Sequence, residues 1–267
     1  KTFPCSFAAV RMLRVSRLAT ASAARQGPLR TAVLRASVLP LSSGAGAPSS
    51  MVERLEQMAT APWYRSGFMR LVGMFSDKQF QCAAGEDLHR LCVRQAEDST
   101  FYDPVLGGVD RERFFPRFQI KGLHCWLVHV RTREMPRAKF EHLFTELMER
   151  FWEYDAMRDI VENEGLELIQ ALKYQKELQV AWHGMVQSLD IALKVDPPRD
   201  ALAEVLRRNI YAGPEGELPS DAVPASRWLA DYLLAQIAQM RTLPDGEVLR
   251  GRVSWAPPPS MRDSGSE

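Results

Sequence analysis

Apolar residues recur at helical spacing along most of the chain from Met51 onward. Phe140, Phe144, Leu147 and Phe151, for example, are separated by 4, 3 and 4 residues, which is the spacing of one face of an α-helix. Strand-like alternation flanked by hairpin turns is missing from this part of the sequence. The pattern predicts an all-α fold, a multi-helix bundle of about six to eight helices with disordered N- and C-terminal tails.

Proline and glycine divide this pattern into separate helices. Pro62 breaks or kinks the first segment, Gly165 separates two long helices, and Gly213-Pro214 ends a later one. The predicted helices cover about residues 51–76, 86–97, 117–131, 136–152, 168–194, 197–210 and 220–240.

Two of these helices are expected to contribute to the core. The segment 117–131 carries apolar residues nearly all round its helical wheel, which is typical of a helix buried in the centre of a bundle. The segment 136–152 is predicted to be an amphipathic core helix. The helix 168–194 is indicated by the spacing of Leu168, Leu172, Leu178, Trp182, Met185 and Leu189.

The N-terminal segment differs in composition from the rest of the chain. Residues 1–52 contain seven Lys or Arg and no carboxylate, and they are rich in Ser and Ala. The remainder carries 27 of the 34 basic residues against all 33 acidic ones, a net charge of −6. An acid-free, Arg-rich leader predicts a mitochondrial transit peptide over residues 1–50. A disordered basic tail and a plastid leader are the alternatives.

Turn residues suggest how the rest of the chain is organised. Asp103-Pro104 and Gly107-Gly108 make the stretch 99–110 a turn-rich connector, which we interpret as a sub-domain boundary. This predicts an N-terminal helical region with linker over 51–112 and a helical domain over 113–243. The Pro- and Gly-bearing segment 244–267 is predicted to be a flexible tail.

Cysteine content and hydropathy narrow the class of protein. Four cysteines at irregular spacing do not form a disulfide framework, so reduced thiols are expected. The longest uncharged apolar run, residues 122–130, is far shorter than the roughly 20 residues of a membrane-spanning helix. Peripheral membrane attachment remains open.

The sequence offers little that would support catalysis. His89 and Cys92 share a helix face, but we interpret them as a solvent-facing histidine beside a core cysteine rather than as metal ligands. Gly107-Gly108 lacks the Lys-Ser/Thr that completes a phosphate-binding loop. The sequence therefore predicts no catalytic residue, no metal site, no cofactor and no enzyme.

One stretch is strongly basic within this acidic body. From Arg111 to Lys139 there are eight basic residues against two acidic ones. Such a patch attracts phosphate groups or anionic lipid headgroups, whereas the alternative is a solvated rim paired with carboxylates elsewhere. The candidate phosphate or lipid residues are Arg117, Lys121, Arg131, Arg133, Arg137 and Lys139.

Four segments, which follow one another along roughly residues 114–213, carry a family resemblance. In chain order they are RFQIKGLHCWLVHVR, HLFTELMERFWEYD, KYQKELQVAWHGMVQSLDIAL and ALAEVLRRNIYAG. Their most specific features are the run of Leu123, His124, Trp126, Leu127 and Arg131 and the later run Leu206–Tyr211. In these features the chain resembles the ubiquinol-cytochrome c chaperone family. Cys125 stands where the family has an aliphatic residue, and the segment 182–185 lacks an expected arginine.

The resemblance implies that 113–243 is a helical ubiquinol-cytochrome c chaperone domain. It implies an assembly factor of respiratory complex III on the matrix side of the mitochondrial inner membrane. The implied partners are nascent cytochrome b, a small assembly-factor partner protein, the mitochondrial ribosome and peripheral inner-membrane lipid, with no DNA. A hydrophobic client needs an apolar groove, and the candidate client- or partner-binding residues are His124, Trp126, His129, Met135, Met148 and Met185.

Two other functions remain open from the sequence. A structural accessory subunit of a respiratory complex or mitochondrial ribosome would need the same helices. A lipid- or quinone-handling helical enzyme would need a closed apolar cavity with convergent polar groups.

Overall fold

The structure is a computed structural model that describes residues 50–62, 73, 75–162, 164–213 and 216–259. Within these ranges the chain forms helices and turns but no strand, so the predicted all-α, multi-helix fold is confirmed. Residues 1–49 of the predicted leader and residues 260–267 of the predicted tail lie outside the described residues.

The α-helices, in chain order, are α1 (Met51–Thr60), α2 (Asp77–Ala96), α3 (Phe114–Thr132), α4 (Arg137–Arg150), α5 (Arg158–Glu162), α6 (Leu168–Ala192), α7 (Arg199–Ile210), α8 (Ala222–Thr242) and α9 (Asp245–Val248). A 3-10 turn, Ser99–Phe101, follows α2, and a π-helical segment, Phe151–Met157, joins α4 to α5.

Helix α3 lies in the centre of the bundle, as its apolar wheel predicts. Its buried residues point in every direction, among them the consecutive residues Leu123, His124, Cys125 and Trp126. It is contacted by α2, α4, α6, α7 and α8. The other helices therefore take their positions from this one buried element.

Helix α2 begins nine residues earlier than the hydropathy pattern predicts. Its first half packs on α4 through small side chains, because a Cβ added at Gly85 would lie 2.5 Å from the carbonyl oxygen of Leu143. The neighbouring Ala83 and Ala84 are also buried, and Ala84 lies next to Gly251. A contact made by Gly and Ala carries a weak hydropathy signal, which explains why the start of the helix was missed.

Residues on both sides of the predicted boundary at 112 contribute to one continuous core. Asp87 on α2 accepts hydrogen bonds from the backbone N–H groups of Met51 and Val52, at 2.9 and 3.0 Å, and so caps α1. Phe101, from the connector predicted as a boundary, is fully buried and meets the rings of Trp228 and Tyr232 edge-on.

The prediction of a flexible tail does not describe residues 244–259. Gln236 on α8 exchanges two hydrogen bonds of 2.8 Å with the backbone of Ala256, and the Trp228 indole donates to the Pro259 carbonyl. Trp255 packs edge-on against His124, with ring centroids 5.1 Å apart. Hydrogen bonds from side chains of α8 hold the segment 256–259 against that helix.

Two helix boundaries differ from the sequence prediction. Helix α7, predicted to begin at residue 197, begins at Arg199, and Pro198 is its N-cap. The peptide bond between Asp196 and Pro197 is cis. The helix predicted for 136–152 continues through the π-helical segment into α5. A π-helix has one extra residue per turn, so the 4-3-4 apolar spacing ends at Phe151.

Candidate functional site

A row of four half-buried side chains and one buried tryptophan, Trp182, crosses three helices on one side of the bundle. It starts at His129 on α3, follows Phe144 and Met148 on α4 and Trp152 in the π-helical segment, and ends at Trp182 on α6. We call these five residues the aromatic seam. Phe144, Met148 and Trp152 are spaced by four residues, so they lie on one helix face. Each is partly buried and packs against the core.

Ring contacts join the three helices along the aromatic seam. The His129 imidazole stacks on the Phe144 ring, with centroids 4.5 Å apart and planes 23° from parallel. Trp152 meets Trp182 edge-on at 5.9 Å. Gly122 on α3 admits the Trp182 indole, because a Cβ there would lie 2.8 Å from two of its ring atoms.

The aromatic seam carries little charge at neutral pH. Burial lowers the pKa of His129, and the neighbouring Arg133 guanidinium acts in the same direction. The imidazole is therefore neutral at pH 7. At the rim, Arg133 pairs with Asp190 at 2.7 Å, and the same carboxylate accepts from the Trp126 indole at 3.0 Å. The result is an apolar strip with a polar edge.

Two of the six predicted client-binding residues, His129 and Met148, lie in the aromatic seam. The structure corrects the expectation for the other four, because the side chains of His124, Trp126, Met135 and Met185 are buried. Met185 fills the core beneath α6. His124 hydrogen-bonds to the Ile120 carbonyl and the Tyr232 hydroxyl, both at 2.8 Å. Their apolar character reflects packing and not a binding surface.

Two members of the predicted phosphate or lipid patch point inward, which corrects their assignment. Arg131 is buried and donates to the carbonyls of Met240 and Leu243 and to the Asp245 carboxylate. Lys121 lies 3.4 Å from Asp159. These cations serve the fold, since their charge is satisfied inside the protein.

The other four patch residues do not form one basic surface. Arg133 and Arg137 are paired with Asp190 and Glu141, at 2.7 and 2.8 Å. Arg117 is half-buried near the start of α3, whereas Lys139 is exposed at the start of α4. The alternative of a rim paired with carboxylates fits these positions better than a phosphate site.

His89 is buried, contrary to the expectation that it faces solvent. Its Nε2 lies 2.7 Å from Oδ2 of Asp155, in the π-helical segment, and Lys121 Nζ lies 3.9 Å from Oδ1 of the same carboxylate. This cluster ties α2, α3 and the π-helical segment together. The sequence pattern gave no signal for it because its members are 66 and 34 positions apart from Asp155.

Within the described ranges, no three His, Cys, Asp or Glu side chains converge as a metal site would require. A depression of about 450 Å³ is lined by Ala59, Gly73, Phe75, Ser76 and Phe80, a set without a titratable side chain. None of the helices in the described part of the chain has the length and hydropathy of a membrane span.

Comparisons with known proteins agree with one another. The family model described as ubiquinol-cytochrome C chaperone matches residues 111–255, more than half of the chain and the region that contains the aromatic seam. The crystal structure of the Cbp3 homolog from Brucella abortus is similar with a TM-score of 0.57 and 21% identity, over 71% of this chain and 97% of that one. At this identity the likeness shows a shared fold. A search of curated proteins finds no significant match.

Proposed function

The chain belongs to the ubiquinol-cytochrome C chaperone family, and we propose that it is a mitochondrial assembly chaperone of respiratory complex III that binds newly made cytochrome b near the mitochondrial ribosome. Its whole mechanism is binding. It holds a hydrophobic client, keeps it from aggregating and releases it to the growing complex. No catalytic step is part of this proposal.

The observation that carries the proposal is the aromatic seam. A membrane protein outside the bilayer needs its apolar segments covered, and an amphipathic helix is covered by docking on a groove or strip between helices. The seam supplies three partly exposed rings (His129, Phe144 and Trp152) and one methionine, whose flexible thioether adapts to irregular surfaces. The Arg133–Asp190 pair at its edge supplies the polar rim.

The composition of the N-terminal segment supports a mitochondrial location. We place the protein on the matrix side of the inner membrane, since the acid-free basic leader is typical of matrix import. A small assembly-factor partner protein is part of the proposal, because the family resemblance implies one. The ribosome is proposed as the place where the client is received.

Site-specific photo-crosslinking tests the proposal. A photoreactive amino acid is placed at Met148 in the aromatic seam and, as a matched control, at the exposed Val223 of α8. Organellar translation products are then radiolabelled in isolated mitochondria. Labelled cytochrome b crosslinked from position 148 and not from 223 is the expected result.

Other outcomes count against the proposal. If position 148 gives no labelled product while the protein remains folded, the seam is not the client site. If the protein crosslinks only to mature subunits, at a fixed ratio to one complex, it is a structural accessory subunit. Co-purified quinone or lipid in a closed cavity would instead favour an enzyme.

A further inference from the structure

The outer face of α6 carries large apolar side chains that no other helix covers. Leu168 and Leu172, which belong to the apolar pattern that predicts this helix, are exposed. The exposed fractions on this face are Leu168 65%, Ile169 71%, Leu172 46%, Val180 68% and Ile191 62%, followed just beyond the helix by Val195 47%.

These residues form one stripe rather than scattered exposures. Ile169, Val180 and Ile191 are separated by eleven positions each, which at 3.6 residues per turn offsets them by only about 20° per step. The core side of the same helix is occupied by Leu178, Met185 and other buried residues. Single exposed apolar residues are normal on a protein surface, but a continuous stripe marks an interaction surface.

The fully exposed charged residues on this face are lysines. Lys173, Lys176 and Lys194 are exposed, and among the described residues no carboxylate forms an ion pair with them. Of the two carboxylates on α6, Asp190 is engaged by Trp126 and Arg133, and Glu177 has an oxygen atom buried in the protein.

The remaining acidic groups near α6 lie beyond its two ends. Glu162, Glu164 and Glu167 precede the helix, and Asp196 follows it. The stripe between them combines apolar residues with lysines. We call this surface, from Leu168 to Val195, the lysine–apolar face.

We propose that the lysine–apolar face of α6 rests on the surface of an anionic phospholipid bilayer. Apolar residues interspersed with lysines are the composition of helices that lie in the plane of a membrane interface, with their side chains among the headgroups. A helix of 25 residues provides a straight contact of about 37 Å.

Charge and shape argue against a second copy of this chain as the occupant. In a twofold dimer the same face meets itself, so the exposed lysines of one copy would face those of the other. The face is also convex, because it is the outer side of a single helix. A flat, negatively charged surface complements this convex, positively charged face better than a peptide segment that requires a groove.

This inference is separate from the client site. The aromatic seam uses the other side of α6, where Trp182 points toward α3. Membrane contact through the outer face leaves the seam free, so each surface can be altered without changing the other.

Vesicle flotation with the full chain tests the proposal. The probes are phosphatidylcholine vesicles with and without cardiolipin, at low and high salt. One variant carries Ile169→Gln, Val180→Gln and Ile191→Gln, and a second carries Lys173→Gln, Lys176→Gln and Lys194→Gln. Both keep helix-forming residues at exposed positions, so circular dichroism should be unchanged.

Matched control variants place the same changes elsewhere on the surface. Val105→Gln with Val223→Gln removes exposed apolar residues outside α6, and Lys78→Gln with Lys139→Gln removes exposed lysines outside α6. Because the basic N-terminal segment is present in every protein, its contribution is common to all of them.

The wild type should float with cardiolipin vesicles and be released by high salt. The lysine variant should bind these vesicles roughly a hundredfold more weakly, and the apolar variant roughly tenfold more weakly, with both controls unchanged. Face variants that bind like the wild type would overturn the proposal. So would a wild-type dimer in solution that the face variants convert to monomers.

Discussion

His124 and Tyr232 are joined by a buried hydrogen bond, with Nε2 of the imidazole 2.8 Å from the hydroxyl oxygen. Nδ1 of the same ring lies 2.8 Å from the Ile120 carbonyl, which can only accept. Nδ1 therefore donates, and Nε2 accepts from Tyr232. His124 links α3 to α8 as a neutral group, which explains why a histidine that looked like a contact residue is part of the core.

Stability should depend on the protonation of His124. Burial lowers its pKa from 6.5 to about 4, although the Ile120 carbonyl and Asp98 act in the opposite direction. In the unfolded chain the imidazole binds a proton below about 6.5, whereas in the folded protein it resists protonation down to about 4. Between these values the unfolded state binds more protons, so the free energy of unfolding should fall by up to about 3 kcal/mol as the pH is lowered.

Urea unfolding of the wild type and His124→Gln at several pH values measures this effect. The variant is expected to be less stable at pH 7 and to show a shallower loss of stability between pH 6.5 and 4. The difference in slope is the readout, because carboxylates elsewhere titrate equally in both proteins. Identical slopes would show that His124 is not a buried neutral group.

Arg131 should be a stability residue and not a phosphate ligand. Its guanidinium bonds to two backbone carbonyls at the end of α8 and to Asp245 on α9. Replacing Arg131 with Met leaves the two backbone carbonyls without this donor, which should cost about 3 kcal/mol. Thermal or denaturant unfolding measures the change.

Lys139→Met is the matched control for Arg131, since Lys139 belongs to the same predicted patch but is exposed. Its effect on stability should be less than about 0.5 kcal/mol. Equal effects of the two substitutions would contradict the inward orientation of Arg131.

The small-residue contact between α2 and α4 should tolerate no added methyl group. Gly85→Ala improves helix propensity, but the new Cβ would lie 2.5 Å from the backbone oxygen of Leu143. Overpacking of this kind should destabilise the protein by about 2 kcal/mol. Gly246→Ala in α9, where the nearest atom is a flexible arginine nitrogen at 3.9 Å, should be close to neutral. A stabilising Gly85→Ala would mean that α2 and α4 are farther apart than described.

A charged substitution in the aromatic seam should weaken client binding without unfolding the protein. Met148→Glu places a charge in the middle of the seam at a half-buried position. Capture of newly made cytochrome b should fall by about tenfold or more, since an unpaired carboxylate must be desolvated against the client. Glu149→Gln at the neighbouring exposed position is the control and should capture normally.

Sequence periodicity predicted the helices better than it predicted the surfaces. The apolar wheel of α3 and the spacing of Leu229, Leu233, Ile237 and Met240 in α8 correctly identify buried faces. The start of α2 was missed because glycine and alanine pack there. The extended segment 252–259 was missed because it is held by side-chain hydrogen bonds from α8, which periodicity does not record.

The candidate site was only partly predictable for a related reason. Hydropathy marks His124, Trp126 and Met185 as notable but does not tell whether they face inward or outward. Their burial depends on which helices surround α3. The lysine–apolar face of α6 shows the opposite error, since Leu168 and Leu172 have the pattern of core residues but no helix lies over them.

Pulse-labelling of organellar translation followed by purification of the tagged protein tests the central claim most directly. The account predicts that labelled cytochrome b co-purifies soon after the pulse, in less than stoichiometric amount, and is lost during the chase as it enters complex III. A constant ratio to one mature complex, with no labelled client at any time, would contradict it.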